Sequence, residues 1–362
     1  TSEDHRTYLV DWQAKCYEAG LIATDVAKEY GGHGHDKFQQ IASTEVRRAN
    51  APYFINWIGL GMAAPTLLAH GTEEQRKSFL PPIFSGEDIW CQGFSEPGAG
   101  SDLVSLQTSA VKDGDNWVVN GSKVWTSLGH FAKWMLLLAR TDKNDKYNGI
   151  TYFISPMEAQ GVTVRPIHKM TGESGFNEVF LEEVVVPDHY RIDEVGKGWQ
   201  VAMSTLTNER GAGTGVGAIA SSESPFAAIE QLIALAKREK RNGRTLWEDP
   251  IWRDKLMKLY ERTDAATQNF RRLGVKELNG GAMRIPLQSK LTGSELGQEL
   301  HQTALSMLGM KSSLYIGDPN AEEDGRWALG YMNTYTGTIS GGSSEIQRNI
   351  LGERVLGLPK TK

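Results

Sequence analysis

The chain has 362 residues, of which 40% are hydrophobic and 23% charged, and its formal charge is −5. This length accommodates two or three domains, and the composition is typical of a globular protein. The sequence contains no block of basic residues, which argues against a nucleic-acid-binding protein. Its longest wholly apolar stretch, residues 134–139, is far shorter than the roughly 20 residues of a membrane span.

Cysteine and histidine usage suggests neither a disulfide framework nor a metal site. Two cysteines, Cys16 and Cys91, give no reason to expect an oxidising compartment. His33, His35 and Asp36 lack further ligands at defined spacing, so a surface loop and no metal are predicted there. Neither end of the sequence carries a targeting signal. We therefore expect a soluble, cytoplasmic protein.

The N-terminal quarter has the patterns of helices. Apolar residues recur at helical spacing over residues 9–19, and a second apolar stretch covers residues 53–69. Thr72, with Gln75 three residues later, predicts a capping box at the start of another helix. The proline pair at 81–82 predicts the end of that helix.

Between residues 89 and 186 the apolar period changes to two. The pairs Asp113–Gly114 and Asn120–Gly121 predict turns on either side of a short strand at 117–119. Further strands are predicted at 134–139, 150–154, 162–166 and 179–186. Short strands separated by turns indicate a compact β-barrel or sandwich.

Helical patterns return after residue 193. Long helices are predicted at about 197–240, 250–277, 285–310 and 343–356. The sequence therefore predicts an α+β protein with three domains: an N-terminal helical domain (1–88), a central β-barrel or sandwich domain (89–192) and a C-terminal four-helix bundle (193–362).

The loop Ser95–Asp102, with the sequence SEPGAGSD, joins the helical and β patterns. Its small residues allow backbone N–H groups to approach a ligand, and Ser95 and Ser101 add hydroxyl groups. The same composition also fits a plain turn-rich loop. No Gly-Lys-Ser/Thr follows, so the loop is not a Walker motif.

Glu209 is the candidate carboxylate for proton chemistry. It lies at the edge of a predicted apolar helix stripe formed by Trp199, Met203, Leu206 and Arg210. Such a carboxylate is either paired with an arginine or kept partly desolvated for proton transfer, and the residues alone leave both readings open. The alternating glycines at 211–217 do not have dinucleotide-binding spacing and follow no strand.

The segment 340–348, SGGSSEIQR, opens the last predicted helix. Ser344 with Gln347 fits a capping box. A glycine pair before helix N-terminal amides equally suits an anion or a phosphate.

Four segments, in this order, resemble the acyl-CoA dehydrogenase family. They are SEPGAGSD (95–102), VNGSKVWTS (119–127), FLEEVVVP (180–187) followed by GKGW (196–199), and SGGSSEIQR (340–348). The resemblance spans nearly the whole chain and implies a helical, β, helical architecture. It also implies FAD, an acyl-CoA substrate, and removal of two hydrogens across Cα–Cβ. A carboxylate would take the α-proton while the β-hydrogen leaves as hydride to flavin N5.

The resemblance also implies roles for individual residues. Those expected at the flavin are Phe94, Ser95, Gly100, Ser101, Trp125, Thr126 and Ser127. Those expected at the nucleotide end of FAD are Ser343, Ser344 and Glu345. Those expected at the substrate are Ser101 (near CoA), Arg210, and Gly341 and Gly342 (beside the acyl thioester).

The position of the catalytic glutamate departs from the commonest family pattern. Many members carry it immediately before the second glycine of the last segment, where this chain has Gly341. A subset, including isovaleryl- and long-chain-type enzymes, carries it on the first long C-terminal helix, followed by arginine. Glu209 and Arg210 match that subset, so the resemblance favours Glu209 as the base. A glycine at 341 is compatible with branched or bulky acyl groups.

Two further departures concern cofactor contacts. The Arg-x-x-Phe-Gly segment, which in relatives helps bind FAD across a subunit interface, is replaced by KRNGR at 240–244, and SMLGM at 306–310 replaces a Gln-Gly-Gly stretch. The resemblance still implies a homotetramer, or alternatively a heterotetramer, with an electron-transferring flavoprotein as acceptor. A flavin oxidase or monooxygenase of the same fold and a non-catalytic partner subunit remain alternatives.

Overall fold

The computed structural model describes residues 3–49, 51–209, 225–272, 275, 277 and 284–360. The chain divides into two compact units, Thr1–Ser221 and Ser222–Lys362. The first contains the N-terminal helices, a β-sheet and one further helix, and the second contains the remaining long helices. The predicted order of helical, β and helical segments is confirmed. None of the described helices is long and apolar enough to cross a membrane.

Four helices precede the sheet. They are α1 (Glu3–Glu18), α2 (Gln39–Arg48), α3 (Ala64–His70, preceded by a π-helical turn at Gly59–Ala63) and α4 (Glu73–Ser85). The capping box predicted for α4 is confirmed: the Gln75 amide donates to Thr72 Oγ1 (3.2 Å), and the Thr72 amide donates to Gln75 Oε1 (3.0 Å).

The prediction that Pro81 and Pro82 end α4 is wrong, because the helix continues to Ser85. Proline removes a backbone donor and normally disrupts a helix interior. Here Ile83 and its neighbours Leu80 and Phe84 are buried in the core of the first unit. The side chains of Gln13 and Asn56 also donate to the Ile83 carbonyl, at 3.0 and 3.1 Å. Tertiary contacts therefore hold the last turn.

Eight strands form the central sheet of the described residues. They are β1 (Trp90–Gly93), β2 (Ser109–Asp113), β3 (Asn116–Ser127), β4 (Trp134–Arg140), β5 (Ile150–Pro156), β6 (Val162–Ile167), β7 (Phe176–Pro187) and β8 (Arg191–Ile192). Their order is β6-β7-β3-β2-β4-β5-β8, and β1 pairs with β4 in parallel. Alternate residues of β4 enter two cores: Leu136 and Leu138 pack with the helices, and Met135, Leu137 and Ala139 pack within the sheet.

Of the two turns predicted around residues 117–119, one is confirmed and one is wrong. Asp113 lies opposite Asn116 in the hairpin of β2 and β3. Asn120 and Gly121 instead lie inside β3, where the pairing with β7 shifts register. A Cβ atom on Gly121 would come within 2.7 Å of Thr108 Cα, so this glycine permits close approach of two backbones.

Helix α5 (Gly198–Glu209) is the last described helix of the first unit, and its first residue lies against β5. A Cβ atom on Gly198 would lie 2.5 Å from the Thr151 carbonyl carbon. The sequence predicted helix over 197–240, and two described helices lie in that range, α5 and a helix at Pro225–Arg238. Residues 210–224 lie outside the described residues. The glycines at 211–217 lie outside the described residues.

The second unit is built from α6 (Pro225–Arg238), α7 (Pro250–Arg271), α8 (Arg284–Leu308), α9 (Arg326–Ile339) and α10 (Ser344–Ile350), with a hairpin of β9 (Lys240–Arg241) and β10 (Arg244–Thr245). Helix α9 was not predicted from the sequence, because it contains several weak helix formers. Its Trp327 is buried, and a Cβ atom on Gly330 would lie 2.5 Å from the His301 ring of α8. Packing on α8 therefore outweighs low helix propensity.

Candidate active site

The loop Ser95–Asp102 lies against the second half of β3. The Val124 amide donates to the Ser95 carbonyl (2.9 Å), and Lys123 Nζ donates to the Phe94 carbonyl (3.2 Å). Two segments that the sequence analysis assigned to the flavin are thus in direct contact, although they are almost 30 residues apart.

Trp125 projects from an irregular part of β3. The pairing with β7 shifts between Lys123 and Thr126, and Trp125 has a positive φ of 62°. Trp125 is 58% exposed, and its ring meets the Phe176 ring edge-on, with 6.0 Å between the centroids. A non-glycine residue in this conformation is uncommon and is often found at functional sites. The bulge therefore presents a large aromatic side chain near the end of β3.

The residues after Trp125 are less exposed. Thr126 is buried, its carbonyl accepts a hydrogen bond from Asn177 Nδ2 (2.9 Å), and its Oγ1 has no hydrogen-bond partner among the described residues. Ser127 is half-buried. An unpaired buried hydroxyl costs free energy, and a ligand that bonds to it would relieve that cost.

The far end of the loop Ser95–Asp102 is open. Glu96 and Ala99 exchange two backbone hydrogen bonds, of 2.9 and 3.0 Å, and close a tight turn. Beyond it Gly100 and Ser101 are exposed, and a Cβ atom on Gly98 or Gly100 would meet nothing within 4 Å. The loop thus has a fixed base and an accessible rim.

Helix α5 places Glu209 on its most buried face. The predicted stripe through Trp199 and Met203 is only half-buried, and the buried residues are instead Gly198, Val201, Ala202 and Thr205. Glu209 follows Thr205 by four residues and Ala202 by seven, so it shares their face one turn further on. Glu209 itself is half-buried. Arg210 lies outside the described residues.

A chain of contacts joins this face of α5 to the flavin-assigned loop. Thr205 Oγ1 lies 3.1 Å from the Tyr152 hydroxyl and 2.8 Å from Thr66 Oγ1. The Tyr152 ring meets the Phe94 ring edge-on, with 5.7 Å between the centroids. Burial raises the pKa of Tyr152 well above its usual value, so the hydroxyl stays neutral. Sequence reasoning missed Tyr152 because its position in β5 fits an ordinary core residue.

The segment 340–348 is arranged differently from the predicted capping box. Ser343, not Ser344, caps α10, and its Oγ accepts from the Ile346 amide (3.3 Å). Gln347 Nε2 donates instead to the Gly341 carbonyl (2.6 Å). Ser344 is buried, and its Oγ has no partner within the described part of the chain.

Glycines 341 and 342 have positive φ values of 63° and 92°, which explains the glycine pair. Glu345 is exposed in the first turn of α10. Hydrogen bonds from its own backbone N–H and from Ser343 lower the pKa of Glu345.

The two segments that depart from the family pattern of cofactor contacts meet each other. Arg241, in the hairpin that replaces Arg-x-x-Phe-Gly, donates from Nη2 to the carbonyls of Ser306 (2.8 Å) and Met307 (3.1 Å). These carbonyls belong to the last turn of α8, where a cation is favourable. Arg241 therefore caps a helix of its own unit.

Three family models together match almost the whole chain. They are the N-terminal, middle and C-terminal domains of acyl-CoA dehydrogenases, at residues 2–87, 91–184 and 196–356. The acyl-CoA dehydrogenase IpdE1 of Mycobacterium tuberculosis is 39% identical over 355 residues, which is 96% of this chain and 88% of IpdE1. This chain belongs to the acyl-CoA dehydrogenase family.

Solved structures of acyl-CoA dehydrogenases share the fold. The ChsE4–ChsE5 complex from Mycobacterium tuberculosis matches with a TM-score of 0.84 and 30% identity, over 99% of this chain and 94% of that chain. The Tcur3481–Tcur3483 steroid ACAD matches with a TM-score of 0.83 and 29% identity, over 99% and 90%. As a member of the acyl-CoA dehydrogenase family, the protein is an oxidoreductase and a flavoprotein with FAD as its cofactor.

Features of both units fit FAD. On the sheet, the exposed Trp125 ring offers a flat aromatic surface, and the unpaired Thr126 Oγ1 offers a hydrogen bond. The space around Gly98 and Gly100 lets a bulky ligand approach the backbone. In the second unit, Ser344 adds another unpaired hydroxyl beside the Gly341–Gly342 turn.

Proposed function

We propose that this chain catalyses FAD-dependent α,β-dehydrogenation of an acyl-CoA thioester, with Glu209 as the base. The observation that carries the proposal is the position of Glu209 on the buried face of α5, one turn beyond Thr205. That face reaches the flavin-assigned Phe94 through Tyr152. The reaction needs a carboxylate close to the flavin edge, and in this proposal Glu209 would supply it.

Glu209 would remove the α-proton of the thioester. This proton is weakly acidic, so its removal needs a base that is held close and partly shielded from water. A free glutamate has a pKa of about 4.3, and burial by substrate and flavin would raise it towards neutrality. Bound FAD supplies the acceptor for the hydride that leaves the β-carbon. Gln in place of Glu209 would keep the shape and lose the proton acceptor.

The remaining proposed contacts divide between the substrate and the cofactor. Ser101, on the exposed rim of its loop, would contact CoA, while Arg210 and the Gly341–Gly342 turn would border the acyl group. Phe94, Ser95, Gly100, Ser101, Trp125, Thr126 and Ser127 would bind the flavin. Ser343, Ser344 and Glu345 would hold its nucleotide end. An electron-transferring flavoprotein would then accept the electrons.

The acyl group in this proposal is bulky and contains rings. Glycine at 341, where many relatives carry the catalytic glutamate, would leave more space beside the thioester. A similar structure is described as a steroid ACAD, which supports a polycyclic acyl group in this chain too. A straight-chain acyl-CoA would then be a poorer substrate than a ring-containing acyl-CoA of similar size.

The test is Glu209→Gln, assayed by rapid anaerobic mixing with an acyl-CoA that the wild-type protein oxidises. We expect FAD to stay bound while the rate of flavin reduction falls by roughly 10²–10⁴, the usual contribution of a general base. Glu194→Gln, at an exposed glutamate shortly before α5, is the matched control and should reduce at the wild-type rate. A Glu209→Gln protein with the wild-type rate would make Glu209 structural and place the base elsewhere.

A further inference from the structure

Lys123 is a charged residue in the interior of the sheet unit. Its side chain is fully buried in β3, and Nζ donates to Glu96 Oε1 (2.8 Å) and to the Phe94 carbonyl (3.2 Å). Burying an ion pair costs several kcal/mol per ion, so such a pair rarely adds stability over apolar residues of the same size. Packing in the core alone therefore does not explain why position 123 carries a lysine and not an apolar residue.

Glu96 connects Lys123 to a further part of the chain. Besides Lys123, its carboxylate accepts from the backbone amides of Gln107 (2.6 Å) and Thr108 (2.8 Å). Four segments meet at these two side chains: the residue before the loop Ser95–Asp102, that loop itself, the chain entering β2, and β3. Their bonds fix how the loop sits on the strand.

Both charges persist at neutral pH. Burial lowers the pKa of Lys123 to about 8, against an opposing rise from the Glu96 carboxylate. Burial alone would raise the pKa of Glu96, but the Lys123 ammonium, Thr108 and Gln107 outweigh it and leave that pKa below its usual value. Removing either partner alone therefore leaves a buried charge without its counter-ion.

We propose that Lys123 and Glu96 are positioning residues, which hold the loop Ser95–Asp102 and the Trp125 bulge at the separation that the flavin requires. The inference rests on the proposed function, because it takes these two segments as the flavin site. Lys123 is the last paired residue of β3 before the bulge, and its bond to the Phe94 carbonyl lies beside the Val124–Ser95 backbone bond. Without the pair, the loop and the bulge can shift relative to each other.

The experiment compares three variants of the full chain: Lys123→Met, Glu96→Gln, and the double variant. For each, thermal stability, FAD affinity and the visible flavin spectrum are measured. Lys258→Met, at an exposed lysine of α7, is the control for loss of a positive charge. The double variant contains no unpaired buried charge, so it separates positioning from folding.

We expect each single variant to lose stability and to bind FAD at least 10-fold more weakly, with an altered flavin spectrum. The double variant should recover stability relative to Lys123→Met but keep the weak FAD binding and the altered spectrum. Recovery of FAD affinity and spectrum along with stability would overturn the proposal, because the pair would then be purely structural. Single variants with wild-type FAD affinity and spectrum would overturn it as well.

The failure of the proposed function gives a different pattern. Wild-type protein that binds no FAD, or whose flavin no acyl-CoA reduces, would overturn the proposed function itself. Wild-type protein that is reduced normally while Lys123→Met and Glu96→Gln match it in FAD affinity would overturn only the role of the pair.

Discussion

Asp188 connects three parts of the sheet unit through one carboxylate. It accepts from Trp117 Nε1 (2.6 Å) in β3, Lys112 Nζ (2.9 Å) in β2 and Arg191 Nε (3.2 Å) in β8. The hydrogen bond from Arg191, with those from Lys112 and Trp117, holds the pKa of Asp188 far below its usual value, although partial burial acts in the opposite direction. The carboxylate is therefore much more acidic in the folded than in the unfolded protein.

This difference predicts a specific pH dependence of stability. A carboxyl group with a lowered folded-state pKa stabilises the protein above its unfolded-state pKa of about 3.9 and loses that effect as the pH falls towards the folded-state value. Asp188→Asn should therefore lower the melting temperature at pH 7. The difference in melting temperature from the wild-type protein should become smaller below about pH 4. Asp36→Asn, at an exposed loop position, is the control and should show no such difference. A difference in melting temperature that stays constant down to pH 2 would contradict the lowered pKa of Asp188.

At the scale of single residues, the sequence predicts side chains with local signals better than those with distant partners. The Thr72–Gln75 capping box is confirmed because both partners lie in one turn. The Glu96 partner of Lys123 lies 27 residues away and the Trp117 partner of Asp188 lies 71 residues away, and no local pattern indicates either of them. An inward-facing lysine in a strand indicates that a buried carboxylate lies nearby, but it does not identify which carboxylate that is.

At the scale of secondary-structure elements, the contact of α5 with β5 determines where Glu209 lies. Gly198 opens α5, and a Cβ atom there would lie 2.5 Å from the Thr151 carbonyl carbon and 2.7 Å from the Tyr152 amide nitrogen. These are backbone atoms of a buried strand, so neither can move aside without shifting β5. The helix can instead move outward, which would carry Glu209 with it.

Gly198→Ala should therefore destabilise the protein by about 1–3 kcal/mol, the usual cost of overpacking a core. It should also slow flavin reduction, because α5 carries the proposed base. Gly293→Ala is the matched control: a Cβ atom on Gly293 in α8 meets nothing within 4 Å, so alanine should be neutral or stabilising by up to about 1 kcal/mol. Urea unfolding and anaerobic mixing measure the two effects. Equal stability of the two variants would show that α5 does not depend on this contact.

The elements that the sequence mispredicts are those in which tertiary packing outweighs local preference. The paired prolines of α4 and the Asn120–Gly121 step of β3 are strong local breakers, yet both elements continue through them. Helix α9, which the sequence did not predict, is the opposite case. Its residues favour a helix only weakly, and its contact with α8 stabilises it. Five strands, β3 to β7, were predictable from short apolar or alternating runs bounded by turn residues, whereas helix α2 was not predicted.

At the scale of the whole molecule, each of the two units carries residues that we propose for FAD. The flavin-assigned residues lie in the sheet unit, and Ser343, Ser344 and Glu345 lie in the helical unit. Arg241, which occupies the region of a segment that helps relatives bind FAD across a subunit interface, bonds instead to the end of α8. The ratio of FAD to chain in the purified protein therefore tests whether this chain completes its FAD site without a different partner chain.

We predict that the chain purified alone is a yellow homotetramer with one FAD per chain. Each unit of the chain carries residues that we propose for FAD, and the resemblance to the family implies that association of chains completes each site. Light scattering at micromolar concentration gives the mass, and the visible spectrum of the released flavin gives the occupancy. The similar ChsE4–ChsE5 structure is a complex, so a heterotetramer is the alternative outcome of this experiment. A colourless or smaller species that becomes yellow and tetrameric only when co-expressed with a second member of the family would contradict the homotetramer.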